Sequence, residues 1–380
     1  MIKYVLITPA HNEAMFIEHT LQSMIAQTAP PNRWVVVDDG STDNTAEIVE
    51  RYARQCPWIQ LLRLTSHQDR NFSRKVHAFN AGLEHVRSVP YDVIGNLDGD
   101  LSFEPDYLEF LMSKFADDVS LGVAGTPFIE NGYDSATDSF EGEHHVAGGC
   151  QLFRRECFEA IGGYVANAAG GVDWIAVTTA RMRGWKTRSF REKRFHHYRP
   201  LGTAEKNSIA AYFSCGEKDF YLGNSPIWEA FRVAYRGTKR PFAIGGLALL
   251  DGYCWAALSG TKRAVSHELM RFHRREEMAK LHAILSSVLS FKKIDHFQLT
   301  PHERPSLEPR RDTKQRHQPY LAARQPNRKR IAELEAAVER QQKGMEMLKA
   351  QLREQRLLIQ KVSAQLELNK AAPQTVLNNR

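Results

Sequence analysis

Cysteine is scarce in this chain: the 380 residues include five, at positions 56, 150, 157, 215 and 254. Their number is odd and no two of them form a C-x-x-C pair, so the sequence indicates neither a disulfide framework nor a zinc-binding module. Free thiols suit a reducing compartment. We therefore expect the protein to work in the cytoplasm.

Two membrane signals are missing as well. The amino terminus opens with the strand-like run Ile2-Lys3-Tyr4-Val5-Leu6-Ile7 and shows no signal-peptide pattern. The most apolar window, residues 241–260, has the length of a bilayer-spanning helix but contains Asp251 and several glycines. We expect a helix that is either buried in the protein or lies in the membrane interface, on the inner face of the cytoplasmic membrane.

Charge of one sign is not in large excess. The net charge is +7, with 25% charged and 42% hydrophobic residues, which is the composition of a globular protein with a substantial core. The modest positive charge suits an anionic partner such as a nucleotide or an acidic membrane surface. The basic residues form no recognisable nucleic-acid-reading module, so no nucleic-acid partner is expected.

From residue 1 to about residue 125, short apolar runs alternate with amphipathic stretches, which predicts βαβ units around a parallel sheet. The predicted strands lie near residues 3–8, 33–37, 59–63, 91–97 and 119–125, and the predicted helices near 13–27, 43–55, 74–88 and 105–116. The pattern becomes mixed after residue 126. We predict an α/β domain over residues 1–200 and a helical region over 201–299.

The last eighty residues have a different character. Prolines and charges over residues 300–328 predict a disordered basic linker, and residues 370–380 a disordered tail. Between them a heptad pattern predicts a coiled coil over residues 329–369 and, through it, a homodimer. The glutamines Gln341 and Gln355 at core positions weaken this pattern, and a lone charged helix is the alternative. The apolar a positions are Ile331, Val338, Met345, Leu352, Ile359 and Leu366.

Two acidic clusters stand where apolar, strand-like runs end. Asp38-Asp39-Gly40-Ser41 follows the second predicted strand, and Asp98-Gly99-Asp100 follows the fourth. Ligands of α/β sheets bind at the carboxyl ends of the strands. Carboxylate oxygens suit Mg²⁺ or Mn²⁺ carrying a diphosphate. The clusters therefore predict a site for a nucleotide and a divalent cation.

An ordered series of motifs extends these clusters. It consists of Thr8-Pro9-Ala10-His11-Asn12-Glu13, Val37-Asp38-Asp39-Gly40-Ser41-Thr42-Asp43, Lys75 with Asn80-Ala81-Gly82, Asp98-Gly99-Asp100, Gly148-Gly149, Gly162-Gly163-Tyr164, and Asp173 eleven residues before Gly184-Trp185. The series resembles the family-2 type inverting glycosyltransferases with the GT-A fold. The resemblance covers residues 1 to about 200 and implies a Rossmann-like mixed sheet flanked by helices, followed here by the helical extension and the coiled coil.

The resemblance also implies a donor site. It assigns contacts with a nucleoside diphosphate sugar to Pro9, His11, Glu13, Asp39, Lys75 and Asp98. It assigns a Mn²⁺ or Mg²⁺ ion to Asp98, Asp100 and a histidine, for which we choose His197 over its neighbour His196. The resemblance implies that Asp39 accepts a hydrogen bond from the base. A carboxylate can accept such a bond only from an N–H group of the base. The alternatives are helix capping for Asp38 and Asp39 and a solvated side chain for Lys75.

Asp173 resembles the catalytic base of the family, although Val172 replaces the usual glutamate before it. An aspartate that opens a helix could take the proton of an acceptor hydroxyl as its oxygen attacks the anomeric carbon. A single displacement of this kind inverts the sugar. The alternative for Asp173 is a helix-start charge stabilised by the helix dipole.

The implied function is metal-dependent transfer of a sugar to a glycan, a lipid-linked acceptor or a polysaccharide precursor. The segment from His197 to Pro200 lacks the Q-x-x-R-W pattern of processive synthases, so one sugar is expected per encounter. One alternative is a sugar-phosphate nucleotidyltransferase, although such enzymes usually carry a glycine-rich basic loop after the first strand. The other is a non-catalytic scaffold in a glycan-assembly complex.

Overall fold

The computed structural model of the chain describes residues 2–65, 72–139, 141–167, 170–199, 208–239 and 242–290, together with 295, 297 and 298. The chain divides into two compact units, Met1–Leu307 and Glu308–Arg380. All the described residues belong to the first unit. The predicted linker, coiled coil and tail therefore lie outside the described residues.

The strands, in chain order, are β1 (Tyr4–Ala10), β2 (Arg33–Asp38), β3 (Ile59–Arg63), β4 (Val93–Leu97), β5 (Leu101–Ser102), β6 (Leu121–Gly125), β7 (Phe128–Glu130), β8 (Tyr133–Asp134), β9 (Cys150–Arg154), β10 (Lys186–Ser189) and β11 (Phe195–His197). The main sheet has the order β10-β6-β9-β4-β1-β2-β3. Its strands pair in parallel except β9, which is antiparallel to both β4 and β6. The sheet is therefore mixed, and the mixed α/β fold expected from the sequence is confirmed.

The helices, in chain order, are α1 (Ile17–Ile25), α2 (Thr45–Ala53), α3 (Phe72–Val86), α4 (Tyr107–Asp117), α5 (Ser135–Asp138), α6 (Arg155–Ile161), α7 (Val172–Met182), α8 (Ser208–Leu222), α9 (Pro226–Gly237), α10 (Ile244–Leu258) and α11 (His267–Leu289). Side chains alternate between the two faces along a strand, so β1 contributes side chains to two hydrophobic cores, one on each face of the sheet. Tyr4 and Leu6 join a core with α1 and α4, and Val5 and Ile7 join a core with α3 and α7. Burial on both faces explains the continuous apolar runs.

A second, four-stranded sheet has the order β5-β11-β7-β8. It begins directly after the acidic turn at residues 98–100, since β5 starts at Leu101. β11 pairs antiparallel with β5 and parallel with β7, so segments far apart in sequence meet beside that turn. This sheet was not predicted, because its strands are two or three residues long and carry no periodic signal.

Helices α8 to α11 form the expected helical extension. Helix α10 packs against α8 through backbone contact: a Cβ atom on Gly252 would lie 2.0 Å from the carbonyl oxygen of Phe213. Helix α11 packs against α7, where Arg181 donates from Nε and Nη2 to the carboxylate of Glu276 at 2.8 and 3.0 Å. Among the helices that the structure describes, none combines the length and apolarity needed to cross a bilayer.

Candidate active site

The acidic turn after β4 is anchored to the glycine pair at 148–149. The side-chain amide of Asn96 donates to Asp98 Oδ1 at 2.9 Å and to the carbonyl of Gly148 at 2.7 Å. The backbone N–H of Asp98 donates to the carbonyl of Gly149 at 2.8 Å. These hydrogen bonds hold the Asp98 carboxylate at the carboxyl edge of the sheet, where ligands of α/β proteins bind.

Asp173 lies against the same glycine pair. It stands in the first turn of α7, which follows Gly171 with a left-handed φ of 75°. A Cβ atom on Gly148 would lie 2.8 Å from Asp173 Oδ2, so only glycine leaves room for this carboxylate. The structure thus brings Asp173 and Asp98, 75 residues apart in sequence, close to the same glycine pair.

Lys75, on α3, is the cation shared by the carboxylates of this corner. Its Nζ donates to Asp98 Oδ1 at 2.6 Å. Burial by itself lowers the pKa of Lys75, but the negative charges of Asp98, Asp173 and Asp100 and the hydrogen bond to Asp98 raise it above its ordinary value. The side chain is therefore a permanent cation at neutral pH.

Asp100 and His197 face each other across the turn. His197 Nε2 lies 3.6 Å from Asp100 Oδ2, and its Nδ1 lies 3.0 Å from Glu130 Oε2. Burial, and then the charge of Asp98, raise the pKa of Asp100 above its ordinary value. His196, the rival candidate, is exposed, because successive side chains of β11 point to opposite faces.

The predicted metal ligands are brought together only in part. Within the described ranges, no group of three or more His, Cys, Asp or Glu side chains is arranged to hold a metal ion. Asp100 and His197 converge, whereas the carboxylate of Asp98 turns to Lys75. Mg²⁺ commonly binds through one or two protein carboxylates and substrate phosphates rather than in an all-protein cage. The donor set therefore fits a cation that also binds the diphosphate.

The predicted nucleoside side of the site gathers around Asp39, which is buried at the end of β2. Arg74 Nε donates to Asp39 Oδ2 at 3.2 Å. His11 lies 2.8 Å from the carbonyl of Asp39, so its Nδ1 carries the proton and donates. Pro9 lies in β1, in register with Val37.

Helix capping does not account for the Asp38-Asp39 pair. The side chain of Asp43 accepts from the backbone N–H of Thr45, the first residue of α2, at 3.0 Å. Asp38 accepts from the N–H of Ser41 at 3.1 Å, within the turn. The carboxylate of Asp39 accepts from Arg74 instead.

Two residues of the site were missed at the sequence level. Arg199 donates from Nη2 to Glu13 Oε2 at 2.5 Å, and its Nε lies 3.9 Å from Asp100 Oδ2. Glu130, on β7, contacts His197. Arg199 could have been suspected as a cation two residues after His197. No signal marked Glu130, because it lies after residue 126, where the sequence pattern becomes mixed.

A mixed sheet, with acidic residues at the carboxyl edge and a second small sheet beside them, defines the class as a mixed α/β protein. Residues 5–162 match the model of the glycosyl transferase family 2. This part of the chain is similar to that family.

Curated relatives match about a third of the chain. The chain is 30% identical over 122 residues to the poly-beta-1,6-N-acetyl-D-glucosamine synthase of Staphylococcus aureus (strain COL), which is 32% of this chain and 27% of that protein. It is 28% identical over 123 residues to the protein of the same description from Staphylococcus epidermidis, again 32% of this chain and 27% of that protein. The chain thus matches only about a quarter of the length of these relatives.

Similar solved structures are more distant in sequence. The mannosyltransferase PcManGT from Pyrobaculum calidifontis, in complex with GDP-Man and Mn²⁺, is 20% identical, with 76% of this chain and 80% of that chain covered and a TM-score of 0.46. The S. aureus TarS 1-349 structure in complex with UDP-GlcNAc is 15% identical, with 78% and 89% covered and a TM-score of 0.45.

Proposed function

We propose that this protein transfers one sugar from a nucleoside diphosphate sugar to a hydroxyl group of a glycan, a lipid-linked acceptor or a polysaccharide precursor. The observation that carries the proposal is the corner formed by Asp98, Asp100 and Asp173 around Lys75 at the carboxyl edge of a family-2 domain. In such a corner a carboxylate can deprotonate the nucleophile, and the cation can stabilise the leaving diphosphate.

In this proposal Asp173 accepts the proton of the acceptor hydroxyl. The hydroxyl oxygen attacks the anomeric carbon from the face opposite the diphosphate, so the configuration inverts. The absence of a side chain at Gly148 leaves room for the Asp173 carboxylate in its present position. Lys75 and Arg199 supply positive charge where the diphosphate gains negative charge, which lowers the energy of the transition state.

The proposed cation is Mn²⁺ or Mg²⁺, held by Asp100 and His197, with Asp98 contacting the cation or the ribose. When bound, it would neutralise the charge that develops on the leaving diphosphate. On the nucleoside side, Asp39 is proposed to accept from a base N–H. Pro9, His11 and Glu13 are proposed to line the nucleoside pocket.

The proposal is tested by measuring nucleoside diphosphate release from a panel of sugar donors, with Mn²⁺, with Mg²⁺ and with a chelator. Asp173→Asn should lower kcat about 10²- to 10⁴-fold, the usual contribution of a general base, and leave the donor Kd within twofold. Asp117→Asn, on the exposed face of α4, is the matched control and should change neither constant. Normal turnover by a folded Asp173→Asn protein would contradict the proposal.

The alternatives give different outcomes in the same assays. Pyrophosphate release from a nucleoside triphosphate and a sugar phosphate would identify a nucleotidyltransferase. Absence of Mn²⁺-dependent donor binding in calorimetry would favour a non-catalytic scaffold in a glycan-assembly complex.

We also propose that α10 rests on an anionic membrane surface at the inner face of the cytoplasmic membrane. This helix buries its glycines together with Leu249 and Tyr253 on one face and exposes other large apolar residues on the opposite face. Gly245, Gly246 and Gly252 are buried. The side chains exposed on the outer face include Ile244, Leu247, Leu250, Trp255 and Leu258.

Charge favours a lipid surface as the occupant of this face. Lys239 precedes α10 and Lys262 follows it, and both are exposed. Apolar side chains flanked by cations match an interface in which acyl chains lie beneath anionic headgroups, where each basic residue contributes about 1 kcal/mol. The chain as a whole carries +7.

Flotation with vesicles tests this surface. The wild type should float with vesicles that contain phosphatidylglycerol. It should not float with vesicles of pure phosphatidylcholine. The triple variant Leu247→Ser, Trp255→Ser, Leu258→Ser should lose most of this binding. Ile227→Ser, which removes an exposed apolar side chain from α9, should not. Equal flotation of the triple variant and the wild type would rule out α10 as the membrane contact.

A further inference from the structure

Three side chains from the second sheet and the turn before it stand in a row. Asp100 precedes β5, His197 ends β11 and Glu130 ends β7. His197 occupies the middle, with Nε2 3.6 Å from Asp100 Oδ2 and Nδ1 3.0 Å from Glu130 Oε2. The parallel pairing of Phe195 with Phe128 sets the register that brings the ends of β11 and β7 side by side.

The contact with Glu130 determines which imidazole nitrogen carries the proton. An ionised carboxylate only accepts hydrogen bonds, so Nδ1 of His197 must donate to Glu130. In a neutral ring the lone pair then lies on Nε2, which faces Asp100 Oδ2. Two electron-pair donors thus face each other at 3.6 Å, beyond hydrogen-bond distance, and both are satisfied by a cation between them.

Burial keeps this arrangement rigid. The exposed fractions of the side chains are 8% for His197, 9% for Asp100 and 12% for Glu130. The ring centroid of Phe128 lies 6.1 Å from that of His197. With water largely excluded, reorienting the ring would leave Glu130 without its present donor, which is costly for a buried carboxylate.

We propose that Glu130 is a positioning residue that holds His197 as the Nδ1–H tautomer and thereby directs Nε2 to a divalent cation shared with Asp100. The inference rests on the proposed function, since it requires the cation. It adds to that function a carboxylate that contacts a metal ligand and not the metal itself. Removal of such a carboxylate from comparable sites weakens metal binding about 10- to 100-fold.

Two substitutions separate the charge of Glu130 from its hydrogen bond. Glu130→Gln keeps an oxygen that can accept from Nδ1 and removes the negative charge, whereas Glu130→Leu removes both. The Kd of Mn²⁺, measured by electron paramagnetic resonance with Mn²⁺ alone and with Mn²⁺ plus UDP or GDP, should rise severalfold for Glu130→Gln. It should rise about 10- to 100-fold for Glu130→Leu.

A second readout does not depend on the metal. Long-range ¹H–¹⁵N correlation spectra of histidine-labelled protein report the tautomer, and the spectrum of His197→Asn identifies the signals of His197. The wild type and Glu130→Gln should show the Nδ1–H form, and Glu130→Leu should shift towards the Nε2–H form. Glu141→Gln is the matched control, because its carboxylate lies 3.9 Å from His145 Nδ1 on an exposed segment, and it should change neither readout.

The outcomes are distinguishable. A wild type that binds no Mn²⁺ with either nucleotide would overturn the proposed cation and this inference with it. A wild type that binds Mn²⁺ while a folded Glu130→Leu protein binds it equally well would overturn the role of Glu130 alone. An unchanged His197 tautomer in Glu130→Leu would do the same.

Discussion

Each basic side chain of the candidate site is paired with a carboxylate. Arg74 contacts Asp39, Lys75 contacts Asp98, and Arg199 contacts Glu13. Pairs of this kind satisfy charges that would otherwise be costly to hold in a partly buried pocket. When a donor binds, its diphosphate would replace the carboxylates as the partner of the basic side chains. The metal ion would replace the basic side chains as the partner of the carboxylates. Donor binding should therefore be an exchange of ion pairs, with metal and diphosphate favouring each other.

Lys75→Met tests this exchange. The variant should weaken donor binding about 10- to 100-fold, because a charge-assisted hydrogen bond contributes about 1.5–3 kcal/mol. It should not weaken binding of Mn²⁺ alone, because Asp98 loses a competing cation. Calorimetry with donor and with Mn²⁺ measures both. Lys193→Met, which removes the contacts of Lys193 with Glu104 and Asp106, is the control. Unchanged donor affinity would exclude Lys75 from the diphosphate site.

At the scale of single residues, the sequence predicted the candidate site residues that follow a strand or begin a helix. Asp98 and Asp100 follow a buried strand, and Asp173 opens a helix, so each has a local marker. Glu130 has none, because its position depends on the register between β7 and β11, which is set by tertiary contacts. The sequence could not show that Asp98 faces Lys75, since that contact joins residues 23 positions apart on two elements.

At the scale of elements, periodicity was a good guide wherever an element is long. The first five predicted strands correspond to β1, β2, β3, β4 and β6, because both faces of each are covered by helices. Strand β9 was not predicted, although Cys150–Phe153 are buried. It is antiparallel and central, and short apolar runs do not reveal which neighbours they join.

The contact between α10 and α8 depends on glycine. At Gly252 an added Cβ would meet the backbone of Phe213 at 2.0 Å, so Gly252→Ala should lower the free energy of unfolding by roughly 1–3 kcal/mol. At Gly245 the nearest atom is Arg236 Nε at 3.1 Å, the end of a flexible side chain. Gly245→Ala should therefore be neutral or raise stability by up to about 1 kcal/mol. Urea denaturation distinguishes the two, and equal effects would contradict the backbone contact.

Helix α9 buries a carboxyl group at a cost that depends on pH. Burial, and then the charge of Asp219, raise the pKa of Glu229 from 4.5 to about 8. Below 4.5 the group is protonated in the folded and unfolded states alike. As the pH rises towards 8 the unfolded state ionises first, so stability is lost, and the loss is complete above pH 8.

Glu229→Gln mimics the neutral carboxyl group. It should match the wild type below about pH 4 and exceed its free energy of unfolding by roughly 1–3 kcal/mol at pH 8.5. Calorimetric melting at several pH values measures the difference. Glu217→Gln, on the neighbouring helix α8, should show no such pH dependence. If the free energy of unfolding depended on pH in the same way for Glu229→Gln and the wild type, the raised pKa of Glu229 would be contradicted.

At the scale of the whole molecule, residues 308–380 form a unit of their own, and the heptad predicted within them lies outside the described residues. We propose that this segment dimerises the chain. The full chain should sediment as a dimer at micromolar concentration, and a chain ending at Leu307 should sediment as a monomer that keeps its donor turnover. A monomeric full chain, or a dimeric truncated one, would contradict the proposal.

The residue that follows Asp173 links the catalytic corner to the helical extension. The ring of Trp174 meets the ring of His273 on α11 edge-on at 4.4 Å, and Leu222 at the end of α8 presses on Gly171. The start of α7 is thus held by residues more than forty positions downstream. The practical consequence concerns the choice of fragments: one cut at the end of the family match, at residue 162, would lack both Asp173 and Trp174, and one cut after the α/β sheet would expose this indole and release the proposed base. The shortest autonomous enzyme should extend through α11.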